Sequence, residues 1–395
     1  MRVAYICADP GVPIFGTKGC SVHAQEVLRA LRACGAEIEL FATRLDGDPP
    51  PDLRSLRVHE LPSLAGSNLA ARERAALGAN RSLVAALEGA GPFDVVYERY
   101  SLWSFAGMEY ARARRVPGLL EVNAPLVEEQ AEYRTLLDRA SAERVAERAF
   151  SSATVLLAVS EEMAAYLARY PGVRERVHVI PNAVDPERFS SDIEPACPAP
   201  PGTFTVGFVG SFKAWHGLSV LIEAFGRLRL MCPDTRLLLV GDGPERGSLL
   251  TDLSARGLLE ATHLTGRVAP HEVPGLLASM DVAVAPYPQR RHFYFSPLKV
   301  YEYMAAGLPV VASRIGQLRR LIDDGVTGLL CPPGDADALT SALDRLRTNP
   351  QLRLRMGRAA RASVLGLYTW AAVATRILEL AATEMRADGR LPRDI

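Results

Sequence analysis

The sequence predicts an α/β fold made of two doubly wound domains, and three observations lead to this prediction. The chain has 395 residues and is 48% hydrophobic, which is enough to bury two cores. Short apolar runs alternate with segments of helical period, an order that requires crossover connections and a mostly parallel sheet. The alternation stops at residues 190–203, where four prolines in fourteen residues exclude a helix or an interior strand.

The first domain is expected at residues 1–190. It opens with an apolar run at residues 3–8 that predicts a strand, and a helix follows with one buried face formed by Ala24, Val27, Leu28 and Leu31. Ser21 is expected to cap the start of this helix and Gly35 to end it. Further strand-like runs lie at residues 37–42, 93–97, 118–122, 154–159 and 177–180.

A linker is expected at residues 191–202 and a second domain at 203–368. Its strand-like runs are residues 204–209, 236–240, 262–265, 282–285, 309–312 and 328–330. The end of the chain has helical periodicity, so a terminal helix at 369–395 is expected to pack back on the first domain. Open α/β sheets bind ligands outside the carboxyl ends of their strands, so the two domains are expected to face each other across a shared cleft.

Composition excludes several classes of protein. The 45 basic and 45 acidic residues cancel, so no net field favours nucleic acid as a partner. No apolar stretch approaches the roughly 18 residues that span a bilayer, and the first apolar run ends at Asp9, too early for a signal peptide. A cytoplasmic protein without a transmembrane segment is expected. The six cysteines show neither a C-x-x-C pair nor metal spacing, which predicts no disulfide frame and no metal site.

Lysine is rare in this chain, and its positions are informative. Only three of the 45 basic residues are lysines, and they fall one in each of three loops: Lys18, Lys213 and Lys299. The other 42 are arginines. A flexible ammonium group is useful beside phosphate, so the three loops are interpreted as facing one anionic ligand.

The first of these loops, residues 10–21, connects the first strand to the first helix. Gly16 and Gly19 allow the backbone to approach a ligand, and the start of the helix near His23 offers free N–H groups to an anion. The loop matches neither the dinucleotide-binding nor the P-loop pattern, so a plain strand-to-helix turn is an equal alternative.

The second loop lies within residues 209–225. Gly210 ends a strand and Gly217 begins a helix, so the residues between them lie at a helix N-terminus. A pyrophosphate is the simplest ligand to expect there. Lys213 and His216 are expected to add positive charge there. A structural Trp-His turn is the alternative interpretation.

The third loop lies within residues 287–313. Ser296 is expected to cap a helix, with Pro297 at its first position, so that Leu298 and Lys299 present free amides. Glu302, one turn further, is placed to bind the two hydroxyls of a ribose, although a lone glutamate on a helix is more often a solvated surface residue. Residues 290–292, Arg-Arg-His, are interpreted as a solvated loop rather than a substrate clamp.

Taken together, these stretches resemble the retaining family 4 glycosyltransferases of the GT-B fold, which consists of two Rossmann-like domains. The segment SPLKVYEYMAAGLPVVAS resembles the donor-site motif of that family. Other stretches match in the same order, and the resemblance covers nearly the whole chain: the Gly19 loop, VSEEM, VIPNAVDPERF, VGDGPE, LTGRV and DGVTGLLCPPGD.

The resemblance implies that the C-terminal domain binds a nucleoside-diphosphate sugar as co-substrate, with no other cofactor and no metal. The donor residues it implies are Gly210, Ser211, Lys213, His216, Gly241, Arg267, Val268, Ser296, Pro297, Leu298, Lys299 and Glu302. The acceptor residues it implies, in the N-terminal domain, are Gly16, Lys18, Gly19, His23, Glu98, Arg99 and Asn123. Catalytic roles fall to Lys213, Glu302 and Asn123. Retaining members need no side-chain nucleophile, because a leaving phosphate oxygen takes the acceptor's proton and the protein positions the substrates and stabilises charge.

The chain departs from the family pattern at several positions. Phe295 stands where the family has its first motif glutamate. Ser211 and His216 correspond to the arginine and lysine of the phosphate loop, which leaves Lys213 or Lys299 to supply that charge. Asn123 lies near the usual position of a histidine, and the sequence Asn182-Ala183 replaces an Asn-Gly pair. These departures leave the nucleotide and the sugar open.

The predicted function is therefore transfer of a sugar from a nucleoside-diphosphate sugar to a soluble acceptor, such as a small molecule or natural-product intermediate. The alternatives are transfer to a cell-surface polysaccharide or lipid-linked acceptor, and a non-catalytic regulator that binds sugar nucleotides. A phosphorylase or a sugar-nucleotide epimerase would share the fold. A two-carboxylate glycosidase is disfavoured, because only Glu302 is placed by a motif and such an enzyme needs a pair of carboxylates.

Overall fold

The computed structural model describes residues 1–63, 67–190, 192–387 and 389. Its contacts divide the chain into two compact units. Unit 1 contains Met1–Pro181, Tyr294–Ser296 and the residues from Trp370 onward, and unit 2 contains Asn182–Phe293 and Pro297–Thr369. Residues 182–190, assigned above to the first domain, therefore group with unit 2. Residue 191 of the expected linker lies outside the described residues.

The described part of unit 1 forms a seven-stranded parallel sheet in the order β3-β2-β1-β4-β5-β6-β7. The strands are β1 Arg2–Cys7, β2 Glu37–Ala42, β3 Arg57–Glu60, β4 Val95–Arg99, β5 Gly118–Val122, β6 Val155–Ala158 and β7 Val177–Val179. Strand β3 was not predicted, because the edge segment RVHE is partly exposed and lacks an apolar run. The order reverses between β1 and β4, and such a switch point opens a crevice at the carboxyl ends of the strands.

Helices cover the unit 1 sheet, since parallel strands are normally buried on both faces. They are α1 Gly19–Ala33, α2 Leu69–Ala90, α3 Ala106–Arg114, α4 Leu126–Tyr133, α5 Arg139–Ser152 and α6 Glu161–Leu167. Helix α1 begins at Gly19 rather than near Ser21, and its N-cap is Lys18, which makes no capping side-chain hydrogen bond. Ser21 is instead fully buried inside the helix, so the predicted cap is wrong.

Unit 2 contains a second parallel sheet, whose described strands have the order β10-β9-β8-β11-β12-β13. They are β8 Phe204–Val209, β9 Thr235–Val240, β10 Thr262–Gly266, β11 Val282–Ala285, β12 Val310–Ser313 and β13 Gly328–Cys331. The order reverses between β8 and β11, which places a second switch point at the end of β8. The prediction of two doubly wound α/β domains is confirmed.

The helices of unit 2 are α7 Leu218–Met231, α8 Arg246–Ala255, α9 Val273–Leu277, α10 Leu298–Ala305, α11 Leu318–Leu321, α12 Ala336–Thr348 and α13 Pro350–Leu367. Pro297 is the N-cap of α10 and makes no capping side-chain bond, so it does not occupy the first helical position that was predicted. A buried apolar cluster built around β8, β9 and α7 forms the core of this unit.

The last described helix, α14 Trp370–Ala387, belongs to unit 1. Trp370 contacts the ring of His23 on α1 edge to face, with 5.2 Å between the ring centroids. Residues 388 and 390–395 of the predicted terminal helix lie outside the described residues.

Gly357→Ala is expected to destabilise unit 2 by roughly 1 to 3 kcal/mol, the usual cost of overpacking. A Cβ at Gly357 on α13 would lie 2.0 Å from the carbonyl oxygen of Gly307, which is backbone and has no rotamer to move into. Urea denaturation measures the difference. Gly366 on the same helix is the matched control, because nothing lies within 4 Å of its Cβ position. Gly366→Ala is expected to be neutral or slightly stabilising, and equal effects of the two variants would contradict this account.

Candidate functional site

Two glycines bring the ends of β8 and β9 into contact. Gly210 and Gly241 follow these strands directly and have φ angles of +146° and +135°, which favour glycine. A Cβ at Gly241 would lie 2.0 Å from the carbonyl oxygen of Gly210. A residue with a side chain therefore does not fit at either of these two positions, and the backbone is exposed to a ligand there.

The loop between β8 and α7 continues this edge. Gly217 is the N-cap of α7, with a φ angle of +70°, and a Cβ there would lie 1.8 Å from the carbonyl oxygen of Pro286. The 14-residue helix α7 thus begins beside the end of β11. Its first N–H groups and its dipole suit an anion at this edge.

Lys299 directs a buried ammonium group into this region. Its Nζ lies 4.1 Å from the centroid of the Phe208 ring and 5.7 Å from that of Tyr287. A Cβ at Gly210 would lie only 2.6 Å from Nζ. Nζ is covered and has no hydrogen-bond partner among the described residues. Burial lowers the pKa of Lys299 to about 7, opposed only by the carboxylate of Glu302.

An ammonium group in such surroundings is destabilised unless an anion joins it, because burial without a counter-ion disfavours the charged form. Contact with the aromatic rings offsets part of this cost. Lys299 is therefore suited to pair with an anion at the end of β8.

His216 does not carry the positive charge that was predicted. Its Nδ1 lies 2.5 Å from the carbonyl oxygen of Ser211 and donates to it, which leaves Nε2 as a free acceptor. Burial, followed by the nearby ammonium of Lys299, lowers the pKa of His216 to about 2. The ring is neutral, so His216 is suited to accept a hydrogen bond from a hydroxyl rather than to bind a phosphate.

Lys213 and Trp215 lie on the same loop. The Lys213 Nζ is 4.6 Å from the centroid of the Trp215 ring, and the Arg290 guanidinium is 6.0 Å from it. Two cations thus lie against one indole, within the range of cation–π attraction. Lys213 adds a second ammonium group to the edge that Lys299 occupies.

Glu302 is one turn beyond Lys299 on α10 and is partly exposed. The helix is fixed to β8 through Tyr303, whose hydroxyl accepts from the Val209 amide at 2.7 Å and donates to the Val209 carbonyl at 3.1 Å. These two hydrogen bonds hold α10 against β8. They thereby fix the position of Glu302 relative to the Gly210 loop, which follows β8.

The remaining predicted donor residues have different positions. Arg267 is exposed and Val268 half-buried, and both directly follow β10 at the same edge of the sheet. Pro297 and Leu298 begin α10, whereas the buried Ser296 groups with unit 1. The structure therefore brings the predicted donor residues that belong to unit 2 to one edge of its sheet, whereas Ser296 belongs to unit 1.

In unit 1, five side chains form what we term the Glu121 cluster: His23, Tyr97, Arg99, Glu121 and Asn123. The Glu121 carboxylate lies 2.9 Å from His23 Nε2 and 2.6 Å from Arg99 Nη1. It also accepts from the Tyr97 hydroxyl and from Asn123 Nδ2. The cluster lies near the carboxyl ends of β4 and β5, with His23 reaching in from α1.

Glu121 is ionised in this cluster. Burial alone would raise its pKa, but His23, Arg99 and the Tyr97 hydroxyl hold it well below its usual value. Glu121 and Tyr97 were not predicted as site residues. The signal was a single carboxylate within the otherwise apolar strand GLLEV, because a buried parallel strand does not tolerate an unpaired charge.

The first loop is held against α1 by Gln25. The Gln25 Nε2 donates to the carbonyl oxygens of Ile14 at 2.8 Å and Gly16 at 3.0 Å. Lys18 and Gly19 are exposed at the start of the 15-residue helix α1. This arrangement leaves a lysine and open helix amides at the carboxyl edge of the unit 1 sheet.

Glu98, predicted as an acceptor residue, does not join the Glu121 cluster. Successive residues of a strand point to opposite faces, so Glu98 and Arg99 diverge. Glu98 is 1% exposed and accepts from the Ser104 hydroxyl near α3. A Cβ on Gly107 would lie 2.3 Å from its Oε2. Burial raises the pKa of Glu98 to about 7. Glu98 therefore lies apart from the Glu121 cluster, and its acceptor role stays a prediction.

Among the described residues, no group of three or more histidine, cysteine, aspartate or glutamate side chains is arranged to hold a metal ion. The helices they form include none with the length and apolar character needed to cross a bilayer.

Comparison with known proteins gives the class of this fold. Sucrose-phosphate synthase from Thermosynechococcus elongatus superposes with a TM-score of 0.75 at 21% identity, covering 98% of this chain and 100% of that one. HepE from Anabaena, in complex with UDP-glucose, superposes with a TM-score of 0.72 at 18% identity, covering 97% and 100%. The fold is that of the GT-B glycosyltransferases.

Sequence comparison gives the family. Residues 17–188 match Glycosyltransferase Family 4, and residues 203–349 match Glycosyl transferases group 1. The D-inositol 3-phosphate glycosyltransferase of Arthrobacter sp. (strain FB24) is 28% identical over 91% of this chain and 89% of its own length. The chain belongs to the family 4 glycosyltransferases of the GT-B fold, and the predicted family is confirmed.

We expect Lys299→Met to increase the free energy of unfolding near pH 6, with a gain that shrinks as the pH rises above about 7. Below the folded-state pKa of about 7, Lys299 is charged in the folded and unfolded chain alike, so folding includes desolvation of an ammonium group. At higher pH the folded lysine is neutral while the unfolded one keeps its proton. The unfolded state then binds more protons, and the wild type gains stability that the methionine variant does not.

Urea denaturation at about pH 6, 7.5 and 9 measures the gap between variant and wild type. Lys18→Met is the matched control, because Lys18 is exposed, and its gap should not vary over this range. A Lys299→Met gap that stays constant or widens with pH would contradict the burial of the ammonium group.

Proposed function

We propose that this protein is a retaining glycosyltransferase that transfers a sugar from a nucleoside-diphosphate sugar to a small, soluble, hydroxyl-bearing acceptor. The observation that carries the donor half is Lys299. Its covered ammonium group, without a hydrogen-bond partner in the described chain, lies against the Gly210 loop, which leads to the N-terminus of α7. A diphosphate supplies the missing anion.

The diphosphate is proposed to lie along residues 210–217, where backbone amides, Lys213 and Lys299 surround it. Ser211 is exposed on this loop and adds a hydroxyl donor. These groups stabilise the charge that develops on the diphosphate as the glycosidic bond breaks. Two ammonium groups take the part that a divalent cation has in other phosphate sites, so we propose transfer without a metal.

Glu302 is proposed to accept from the two hydroxyls of the ribose, with the base against the backbone of Arg267 and Val268 and beside Gly241. The transferred sugar is assigned to the residues at the start of α10, namely Pro297, Leu298 and the preceding Ser296. His216 Nε2 is a free acceptor beside Lys299 and is proposed to accept from a sugar hydroxyl. Because HepE was crystallised with UDP-glucose, UDP is the first nucleotide to test.

The acceptor is proposed to bind unit 1. Lys18, Gly19 and the start of α1 offer positive charge and free amides, which suit an acidic substituent on the acceptor. Asn123 follows β5 at the carboxyl edge of the sheet and is proposed to contact the attacking hydroxyl. The relative from Arthrobacter acts on D-inositol 3-phosphate by its name, and a phosphorylated polyol fits these features.

In the proposed reaction, the acceptor hydroxyl attacks the anomeric carbon on the face that the diphosphate leaves. The proton passes to a phosphate oxygen of the leaving group, so the protein supplies no nucleophile. Its contribution is to hold both substrates in register and to stabilise the leaving diphosphate.

Glu302→Ala is expected to weaken UDP binding roughly tenfold to a hundredfold, the loss of one or two hydrogen bonds to a charged group. The measurement is the rise in melting temperature with UDP, GDP, ADP and dTDP, since a ligand of the folded state stabilises by mass action. The test that isolates the ribose is 2′-deoxyuridine diphosphate, for which the variant should lose less. Arg291→Ala is the control, because Arg291 is exposed in the same loop, and it should bind UDP as the wild type does. Wild-type UDP binding by Glu302→Ala would contradict the ribose role.

The product is expected to keep the anomeric configuration of the donor. Proton NMR of the product measures it through the coupling of the anomeric proton, with UDP-glucose as donor. Activity is expected to survive EDTA, because Lys213 and Lys299 provide the positive charge. An inverted product would contradict the retaining mechanism, and loss of activity in EDTA would contradict the role given to the two lysines.

A further inference from the structure

The amide of Asn123 has one fixed orientation. Its Nδ2 donates to Oε1 of Glu121, so Oδ1 lies on the other side of the amide group. No hydrogen bond to this oxygen is made by the described residues. Asn123 is partly exposed, and it comes directly after β5, at the carboxyl edge near the switch point of the sheet. The amide therefore presents its acceptor oxygen to a ligand, while one N–H of its NH₂ group is held by Glu121.

The Glu121 carboxylate itself has no capacity left for a ligand. It is 4% exposed, and four groups surround its two oxygens: His23, Tyr97, Arg99 and Asn123. A carboxylate has about four acceptor positions, so all of them are filled. Glu121 therefore acts through the groups that it orients.

Of those four groups, Asn123 is the one that combines partial exposure with an acceptor atom, since the guanidinium of the partly exposed Arg99 can only donate. The side chains of His23 and Arg99 are only 8% and 11% exposed. Tyr97 is 1% exposed. The cluster is thus a largely buried support in which Asn123 and Arg99 are partly exposed. The charge of Glu121 fixes the direction of the Asn123 amide.

We propose that Glu121 is a positioning residue for the acceptor: its carboxylate holds Asn123 with Oδ1 directed to accept a hydrogen bond from the attacking hydroxyl. This inference rests on the proposed function and adds to it a residue that the sequence motifs did not identify. When the oriented amide oxygen accepts the hydrogen bond, it fixes the direction of the acceptor's O–H bond. A lone pair of the same hydroxyl oxygen is then directed toward the anomeric carbon, and such orientation contributes to catalysis.

A double-mutant cycle tests the inference. We expect Glu121→Gln to lower kcat/KM for the acceptor roughly tenfold to a hundredfold, and to cost less than about twofold when Asn123 is already alanine. UDP-glucose is the donor and D-inositol 3-phosphate, with other polyols in a panel, is the acceptor. The affinity for UDP should stay unchanged in all three variants, since no residue of the cluster belongs to unit 2. A purely structural role for Glu121 would reduce activity by the same factor in both backgrounds.

Glu39 provides the matched control. It is also a buried carboxylate of the unit 1 sheet, with a side chain 3% exposed and bonded to Arg2 and His59, but it supports no predicted site residue. Glu39→Gln is expected to lower the melting temperature as Glu121→Gln does and to leave kcat/KM unchanged. An equal loss of activity in the two variants would overturn the proposal.

Asn123→Asp keeps the test valid if Glu121→Gln does not fold. Asn123 is partly exposed, so this variant should fold, but it replaces the donating Nδ2 by an oxygen that Glu121 repels. A loss of kcat/KM comparable to that of Asn123→Ala supports the proposal, and wild-type activity contradicts it. If the wild-type enzyme transfers sugar to no member of the panel, the proposed function is contradicted. If the wild type is active but the effects of Glu121→Gln and Asn123→Ala on kcat/KM simply add, only the role of Glu121 is contradicted.

Discussion

The parallel arrangement of the strands is the constraint on which the rest of the structure depends. Because all strands of a parallel sheet run the same way, their carboxyl ends meet at one edge, and every loop that follows a strand begins there. The Gly210 loop, Gly241 and Arg267 follow three adjacent strands of unit 2. Asn123 follows β5 of unit 1. The topology of the sheet thus brings residues that are far apart in sequence to one edge, whatever their side chains are.

Three buried ionisable groups show three different ways of accommodating a charge. Glu121 keeps its charge, because cationic and hydroxyl donors fill its acceptor positions. Glu98 lacks a cation nearby, so burial raises its pKa to about 7 and favours the neutral acid. The Lys299 ammonium lies against aromatic rings and receives no hydrogen-bond partner from the described residues. Of the three, Glu121 has its charge compensated, whereas Glu98 Oε2 and Lys299 Nζ are both buried without a hydrogen-bond partner among the described residues. Lys299 differs from Glu98 in its place beside the Gly210 loop, which leads to the start of α7, where an anion fits.

The sequence identified the segments that lie at the carboxyl edge of the unit 2 sheet, because its signals there are local. These signals are the glycines at strand ends, the lysine in each loop and the motif around Glu302. Each of them depends only on residues that are close together in the sequence. It failed where a side chain's environment comes from distant segments. His216 was expected to be charged, yet its pKa is lowered by burial and by Lys299, which lies 83 positions further along the chain. Glu98 and Arg99 are adjacent in sequence, but the pleat of β4 sends them to opposite faces.

By itself, the sequence determined the fold class, the family and the segments that line the edge of the unit 2 sheet, since periodicity and motifs are properties of short stretches. Only the tertiary structure decided which charges are compensated. The Glu121 carboxylate is hydrogen-bonded to His23 of α1 and Arg99 of β4. These contacts keep it ionised, and the ionised carboxylate fixes the direction of the Asn123 amide. Electrostatic energy in a protein interior depends on distance and burial, and neither quantity can be obtained for residues that are distant in sequence until the strands are placed side by side.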